Sequence, residues 1–167
     1  MSGVGSGAWA TADLNPVRRL QVIAGAAKNP MYAERYFDAP VDEVWGVAAD
    51  LERELPHLVR GIRSFTFTTP QRERSSAVAV SSIGHRERFE VVMRPGWCLM
   101  QSRLIVGGMA ATAEGDGTRF ALLGRLRFPG GPALQGMRWF GTEARSQTIL
   151  DRLQQRLATR GDGPWGD

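Results

Sequence analysis

The sequence predicts an α+β fold in which a curved antiparallel sheet of six to seven strands surrounds a long C-terminal helix. Three observations support this fold class. Apolar and polar residues alternate with period two from residue 58 to 128, which indicates successive strands. After the Pro/Gly stretch at 129–132 the period becomes helical and stays so to about Arg160. That last helix is the only predicted element long enough to cover the apolar face of such a sheet.

The chain of 167 residues suits one main domain with less ordered ends. We expect residues 1–30 to form a flexible N-terminal segment, rich in Gly, Ser and Ala at its start, that is dispensable for folding. A short helix can form within it at 16–28, with its apolar residues on one face. The main domain is then 31–160, and 161–167 is a loose tail.

The stretch "FDAPVDEVW" predicts an abrupt change from strand to helix. Pro40 ends the first strand, and the two acidic residues that follow favour a helix N-terminus through the helix dipole. Trp45 is then either a core aromatic residue or part of the end wall of a cavity. Asp50 can cap a second short helix, "LERELPHL", which we expect Pro56 to disrupt.

The predicted strands are joined by turn-like segments. The clearest is "EGDG" at 114–117, which is typical of a hairpin. The "VGG" stretch at 106–108 allows two interpretations. It is either a turn between two strands or a point within one bent strand that spans 104–114.

Several functional classes are not expected. The net charge is +4, but the arginines are scattered among acidic residues, so no nucleic-acid partner is predicted. No apolar run approaches the roughly 18 residues of a transmembrane helix, and the N-terminus does not resemble a signal peptide. The single cysteine, Cys98, favours the reducing cytoplasm, and its apolar neighbours indicate a buried structural residue. No metal-binding or phosphate-binding motif is present in the sequence.

The order of elements, together with specific residues, resembles the START-like (SRPBCC) superfamily, which has the helix-grip fold. Phe37, Ala39, Pro40, Val44 and Trp45 match the apolar-x-Ala-Pro-x-x-x-Val-Trp pattern found in many members. The "EGDGTRF" hairpin and the Pro/Gly loop before the last helix are also typical. Within the superfamily, the chain resembles the single-domain aromatic polyketide cyclases of actinomycetes. That resemblance implies an internal cavity and a place in antibiotic biosynthesis.

Two periodicities select candidate acid–base residues near such a cavity. On strand 85–94, His85 and Glu87 share a face with apolar residues that should point inward. An imidazole beside a carboxylate can transfer protons near neutral pH, although both residues can instead lie in solvent at the strand's start. On the last helix, Glu143 shares the core-facing side with Trp139 and Ser146. Glu143 is either an acid–base group or the partner of an arginine.

Alternation also predicts the apolar wall of the cavity, for which we select Phe65, Phe67, Met100, Phe120 and Leu122, with Trp139 and Ser146 contributed by the last helix. The cyclases of this superfamily use a middle-strand arginine and a tyrosine after the second short helix. The corresponding stretches here contain no tyrosine, and Arg88 is expected to face outward.

The resemblance leads to one main hypothesis and two alternatives. The main one is a protein that binds a hydrophobic, aromatic or polyketide-like molecule and can act as a cofactor-independent cyclase through His85, Glu87 and Glu143. No cofactor is needed, since enolisation and loss of water require only positioned acids and bases. The first alternative is a carrier or sequestering protein for a lipid, quinone or toxic metabolite. The second is an adaptor that acts through its surface and its N-terminal segment. The sequence does not indicate an oligomeric state.

Overall fold

The computed structural model describes residues 14–28, 30–127 and 143–161. The described residues form seven strands and four helices, and none of these helices is long and apolar enough to cross a membrane. The elements in chain order are α1 (Pro16–Gly25), β1 (Met31–Phe37), α2 (Val41–Ala48), α3 (Leu51–Leu58), β2 (Ile62–Phe67), β3 (Arg74–Ser81), β4 (Arg86–Arg94), β5 (Trp97–Gln101), β6 (Ile105–Glu114), β7 (Gly117–Leu126) and α4 (Glu143–Gly161).

All seven strands belong to one antiparallel sheet with the order β1-β7-β6-β5-β4-β3-β2. This confirms the predicted sheet and its number of strands. Gly115, with φ of 59°, occupies the left-handed conformation that the predicted β6–β7 hairpin requires. The "VGG" stretch lies inside β6, so the open choice at 104–114 is settled in favour of one strand.

The concave face of the sheet packs against α4, and α2 and α3 lie beside that helix. Leu150 and Leu153 of α4 are fully or almost fully buried, as is Phe120 of β7. The prediction that the last helix lies in the grip of the sheet is therefore confirmed. The described part of this helix begins at Glu143, and the expected first turns at 133–142 lie outside the described residues.

The joint between β1 and α2 forms as the sequence predicts. Pro40 is the N-cap residue of α2, and Trp45 is a half-buried aromatic residue packed against the core of the concave face. The Oγ1 of Thr118, a fully buried residue of β7, donates a 2.7 Å hydrogen bond to the backbone oxygen of Ala39. That bond ties the joint to the sheet, which the sequence pattern did not indicate.

Pro56 does not disrupt α3, contrary to expectation, because the helix continues for two further residues to Leu58. A proline deprives the carbonyl four residues earlier of its donor, but only the last turn of this short helix is affected. Leu55 and Leu58 on either side of Pro56 are buried, so packing holds the turn in place.

The convex face of the sheet carries a second core under α1. Val17, Leu20 and Ala24 of α1 are buried against Trp97, Ala110, Ala121 and Leu123 of the sheet. Gln21 of α1 also donates to the carboxylate of Glu34 on β1. The short N-terminal helix is thus present as expected, and it is packed on the sheet. The division of the chain at residues 30 and 160 stays a prediction. The burial of Val17, Leu20 and Ala24 argues against the expectation that residues 1 to about 28 are dispensable for folding, because removing α1 would expose this second core.

An ion cluster joins α3 to α4. The carboxylate of Glu54 is completely buried and lies 2.7 Å from Nε of Arg156 and 2.9 Å from Nη2 of Arg160. The hydrogen bond from Arg156, together with the charges of both arginines, holds the pKa of Glu54 below its usual range. This cluster fixes the two helices that lie over the concave face.

Candidate ligand-binding cavity

A cavity of about 80 Å³ lies between the concave face of the sheet, α3 and α4. Its described lining consists of apolar side chains and glycines, with one or more contributions from each strand except β3. This environment can accept an apolar ligand, but the described lining supplies no titratable side chain for acid–base chemistry. The lining residues are Met31, Leu55, Leu58, Val59, Ile62, Phe65, Phe89, Met100, Ile105, Val106, Gly107, Gly108, Met109, Phe120, Leu122, Leu123, Gly124, Ile149 and Leu153.

The floor of the cavity is a row of four residues across four neighbouring strands. Gly107 of β6 is directly opposite Gly124 of β7, Met31 of β1 flanks Gly124, and Met100 of β5 flanks Gly107. The ends of the two methionine side chains lie over the glycines. Cε of Met31 is 2.8 Å from the position that a Cβ added to Gly124 would take. Cε of Met100 is 3.4 Å from the position of a Cβ added to Gly107. The glycine pair therefore creates a trough that two adaptable side chains partly fill.

Four of the predicted wall residues line this cavity: Phe65, Met100, Phe120 and Leu122. Phe67 lies outside the lining. Its ring packs edge-to-face on Phe65, with ring centroids 5.7 Å apart, and it is packed against the concave core. Alternation selected these positions because residues of one parity share a face of the sheet, and their role in binding a ligand stays a prediction.

The predicted pair of His85 and Glu87 is present, but it lies away from the cavity lining. His85 Nε2 is 3.4 Å from Glu87 Oε2, and the two side chains are 54% and 17% exposed. Glu87 is on the concave side of β4 together with the buried Phe89 and Val91, as the alternation predicted, while Arg88 is exposed. The pair is at the end of β4, and its proton-transfer role stays a prediction.

The three residues selected on the last helix differ in how far the structure describes them and in where they lie. Ser146 is fully buried but does not line the cavity, which α4 borders through Ile149 and Leu153 instead. Glu143 is the first residue of α4, and its side chain is outside the described part of the structure. Trp139 lies outside the described residues altogether. Their roles as catalytic or ligand-binding residues stay predictions.

Sequence reasoning missed the glycines and Met31. The signal was available, because a Gly-Gly pair inside a strand often marks a place where another group approaches the backbone closely. The described residues also contain no group of three or more His, Cys, Asp or Glu side chains that could hold a metal ion.

Comparisons with known proteins identify the fold. No protein-family model and no curated protein matches the sequence. The structure is similar to that of the protein TTHA0849 from Thermus thermophilus, with 20% identity, a TM-score of 0.60, and coverage of 80% of this chain and 99% of that one. It is also similar to the aromatase/cyclase Zhui from Streptomyces sp. R1128, with 14% identity, a TM-score of 0.60 and coverage of 83% and 99%.

A third similar structure is the norcoclaurine synthase of a Thalictrum species, with 11% identity, a TM-score of 0.54 and coverage of 80% of this chain and 96% of that one. Each match covers nearly all of the other protein, so the likeness extends over the whole fold rather than one motif. At these identities the likeness concerns the fold and not the activity. The chain has the helix-grip fold, which it shares with the aromatase/cyclase Zhui.

Proposed function

We propose that the protein binds a hydrophobic, aromatic or polyketide-like small molecule in the cavity beneath α4 and holds it without chemical change, as a carrier or sequestering protein. The observation that carries this proposal is the composition of the lining, in which every described residue is apolar or a glycine. Ligand pockets are predominantly apolar, and the driving force for such a ligand is the removal of its surface from water.

The size of the cavity sets a requirement on how binding occurs. An apolar cavity that binds benzene measures roughly 150 Å³ in a well-studied engineered case. The cavity here, at about 80 Å³, is smaller than that. An aromatic ligand must therefore displace side chains, and Met31 and Met100 are the flexible groups that lie in the trough. Rotating an unbranched methionine costs little compared with moving a packed strand.

Titration with N-phenyl-1-naphthylamine, a neutral probe that fluoresces in apolar surroundings, tests the proposal. The double variant Gly107→Ala/Gly124→Ala adds two methyl groups to the floor of the cavity. We expect its probe affinity to fall at least tenfold, because one methyl-sized change in a tight apolar pocket alters affinity by about tenfold or more. The matched control is Gly46→Ala in α2, where an added Cβ meets no atom within 4 Å apart from its chain neighbours and the backbone of its own helix.

Equal probe affinity in the double variant and the wild type would contradict the proposed site. Circular dichroism and the unfolding midpoint establish that the variants are folded. A wild-type protein that takes up no probe would contradict the binding function itself.

A second candidate function, a polyketide cyclase/dehydratase, is favoured by one specific observation. Nε2 of His85 lies 3.4 Å from Oε2 of Glu87 at the start of β4. In this proposal they transfer protons to and from a polyketone that extends from the cavity, assisted by Glu143. The fold is shared with an aromatase/cyclase, although that likeness alone does not carry an activity.

The two functions are separated by Glu87→Gln, which keeps the shape of the side chain and removes its basicity. An enzyme loses about 10²-fold or more in rate while its affinity stays unchanged. A carrier shows no turnover in either form, and its ligand is recovered chemically intact by mass spectrometry.

A further inference from the structure

A second pocket lies against the outer side of the cavity wall. It has a volume of about 310 Å³ and is lined by Val59, Arg60, Arg145, Thr148, Ile149 and Arg152. Val59 and Ile149 line both this pocket and the apolar cavity. The two spaces are therefore neighbours, separated by those two apolar side chains.

Three guanidinium groups contribute to the second pocket, and among the described residues none of them forms an ion pair with a carboxylate. Arg152 donates a 3.1 Å hydrogen bond to the backbone oxygen of Leu58, which holds its side chain across the end of α3. Other arginines of the same helix are paired, as Arg156 is with Glu54. The pocket thus combines positive charges without acidic partners of the kind that pair with Arg156 and Arg160 further along α4.

Arg145, one of the residues that line this pocket, has a hydrogen-bond donor without an acceptor. Nη1 of Arg145 is buried and has no hydrogen-bond partner within the described part of the chain. A buried charged donor without an acceptor is unfavourable, because its hydrogen bonds to water are lost and no hydrogen bond within the protein replaces them. An anion in the pocket would offset the positive charge of this side chain and its two neighbours, and guanidinium groups bind carboxylates with matched, charge-assisted hydrogen bonds.

We propose that the ligand of the cavity carries an anionic head group, most simply a carboxylate, which Arg60, Arg145 and Arg152 bind while the hydrophobic body occupies the apolar cavity. This inference rests on the proposed binding function and specifies its ligand class. The ligand passes between Val59 and Ile149, with its charged end toward solvent and its apolar end over the glycine trough.

The test compares two ligands of the same shape, 2-naphthoate and 2-naphthamide, as competitors of N-phenyl-1-naphthylamine. The two differ only in charge and in one terminal atom. We expect the wild type to bind naphthoate at least tenfold more tightly than naphthamide, since one charge-assisted hydrogen bond corresponds to about that factor. Raising the salt concentration should reduce the preference, because the arginine pocket is open to solvent.

Arg145→Gln and Arg60→Gln should each reduce the naphthoate preference severalfold and leave naphthamide affinity unchanged. Arg88→Gln is the matched control, because Arg88 is exposed on β4 and away from both pockets. It removes the same net charge and should keep the full preference. Arg152 is avoided as a test position because its bond to Leu58 supports α3.

Equal binding of the two ligands by the wild type would overturn the anionic head group while leaving the apolar binding function intact. A preference that survives in both Arg145→Gln and Arg60→Gln would overturn the assignment of these arginines. Failure of the wild type to take up the neutral probe or either competitor would overturn the proposed function and this inference together.

Discussion

The two faces of strands β6 and β7 use the same kind of residue for opposite purposes. On the convex face, the space above Gly108 is filled by Leu20 of α1, whose Cδ1 is 2.8 Å from the position a Cβ would take. On the concave face, the neighbouring Gly107 and its partner Gly124 leave a trough that the methionine ends enter. A glycine covered by a rigid, buried leucine contributes to stability. A glycine covered by a flexible methionine keeps space available for a ligand.

The largest effect expected from this comparison concerns two leucines. Leu20→Ala on the convex side and Leu153→Ala on the concave side should each lower the free energy of unfolding by about 2–5 kcal/mol, since both residues are fully or almost fully buried. Urea unfolding measures this cost. Leu153 also lines the cavity, so its truncation should strengthen binding of the neutral probe, whereas Leu20→Ala should not. The same change in probe affinity for both variants would show that the faces do not differ as described.

The next effect concerns the ion cluster above the concave face. Glu54→Gln should lower the free energy of unfolding at pH 7 by about 1–3 kcal/mol, because a neutral amide replaces a buried carboxylate that is paired with two arginines. Hydrogen bonds and charges of the arginines lower the pKa of Glu54 in the folded state. The contribution of this carboxylate to the free energy of unfolding is therefore complete above its pKa in the unfolded chain, about 4.3. This contribution is lost as the pH falls through the lower pKa that Glu54 has in the folded protein.

Urea unfolding of the wild type and Glu54→Gln at several pH values measures this. The difference between the two proteins should shrink as the pH falls below about 4. A difference that stays constant with pH would mean that the carboxylate charge is not what stabilises this cluster.

A smaller effect comes from two adjacent glycines of β6. Gly108→Ala should cost about 1–3 kcal/mol, since its methyl group would overlap the fully buried Leu20, which has no free space to move into. Gly107→Ala should change stability by less than about 1 kcal/mol in either direction, because its methyl group meets only the end of Met100. Equal costs for the two substitutions in urea unfolding would contradict the difference between the faces.

The smallest effect concerns Cys98, which lies in the concave core and is fully buried. Burial raises the pKa of its thiol to about 12, so very little thiolate is present at pH 8. The folded protein should not react with Ellman's reagent at pH 8, and one thiol per chain should react in denaturant. Rapid reaction of the native protein would indicate that the concave core opens readily.

Most of the fold could be predicted because its signals are local. The alternation of apolar and polar residues predicts the strands, the "EGDG" turn predicts the pairing of β6 with β7, and Pro40 predicts where α2 begins. Two features depended on contacts distant in sequence. The length of α3 beyond Pro56 depends on the burial of Leu55 and Leu58, and the bond from Thr118 joins residues far apart in the chain.

The site was less predictable than the fold. Apolar wall residues such as Phe65 and Phe120 follow from strand parity alone. The Gly-Gly pair of β6 indicates a close approach to the backbone but not an open space, because a void results from residues on separate strands that are small at the same level of the sheet. Gly107 and Gly124 become a trough only once β6 and β7 are in register. The arginine pocket, likewise, combines Arg60 after α3 with Arg145 and Arg152 of α4.

The central claim is that a hydrophobic ligand enters the trough by displacing Met31 and Met100. Methyl NMR with ¹³C-labelled methionine tests it most directly, because each assigned methionine methyl group reports its own surroundings. On titration with N-phenyl-1-naphthylamine, the methyl signals of Met31 and Met100 should shift strongly, while that of Met93, which is half-buried outside the cavity lining, should not. Saturable probe binding that leaves both the Met31 and Met100 signals unchanged would contradict the account.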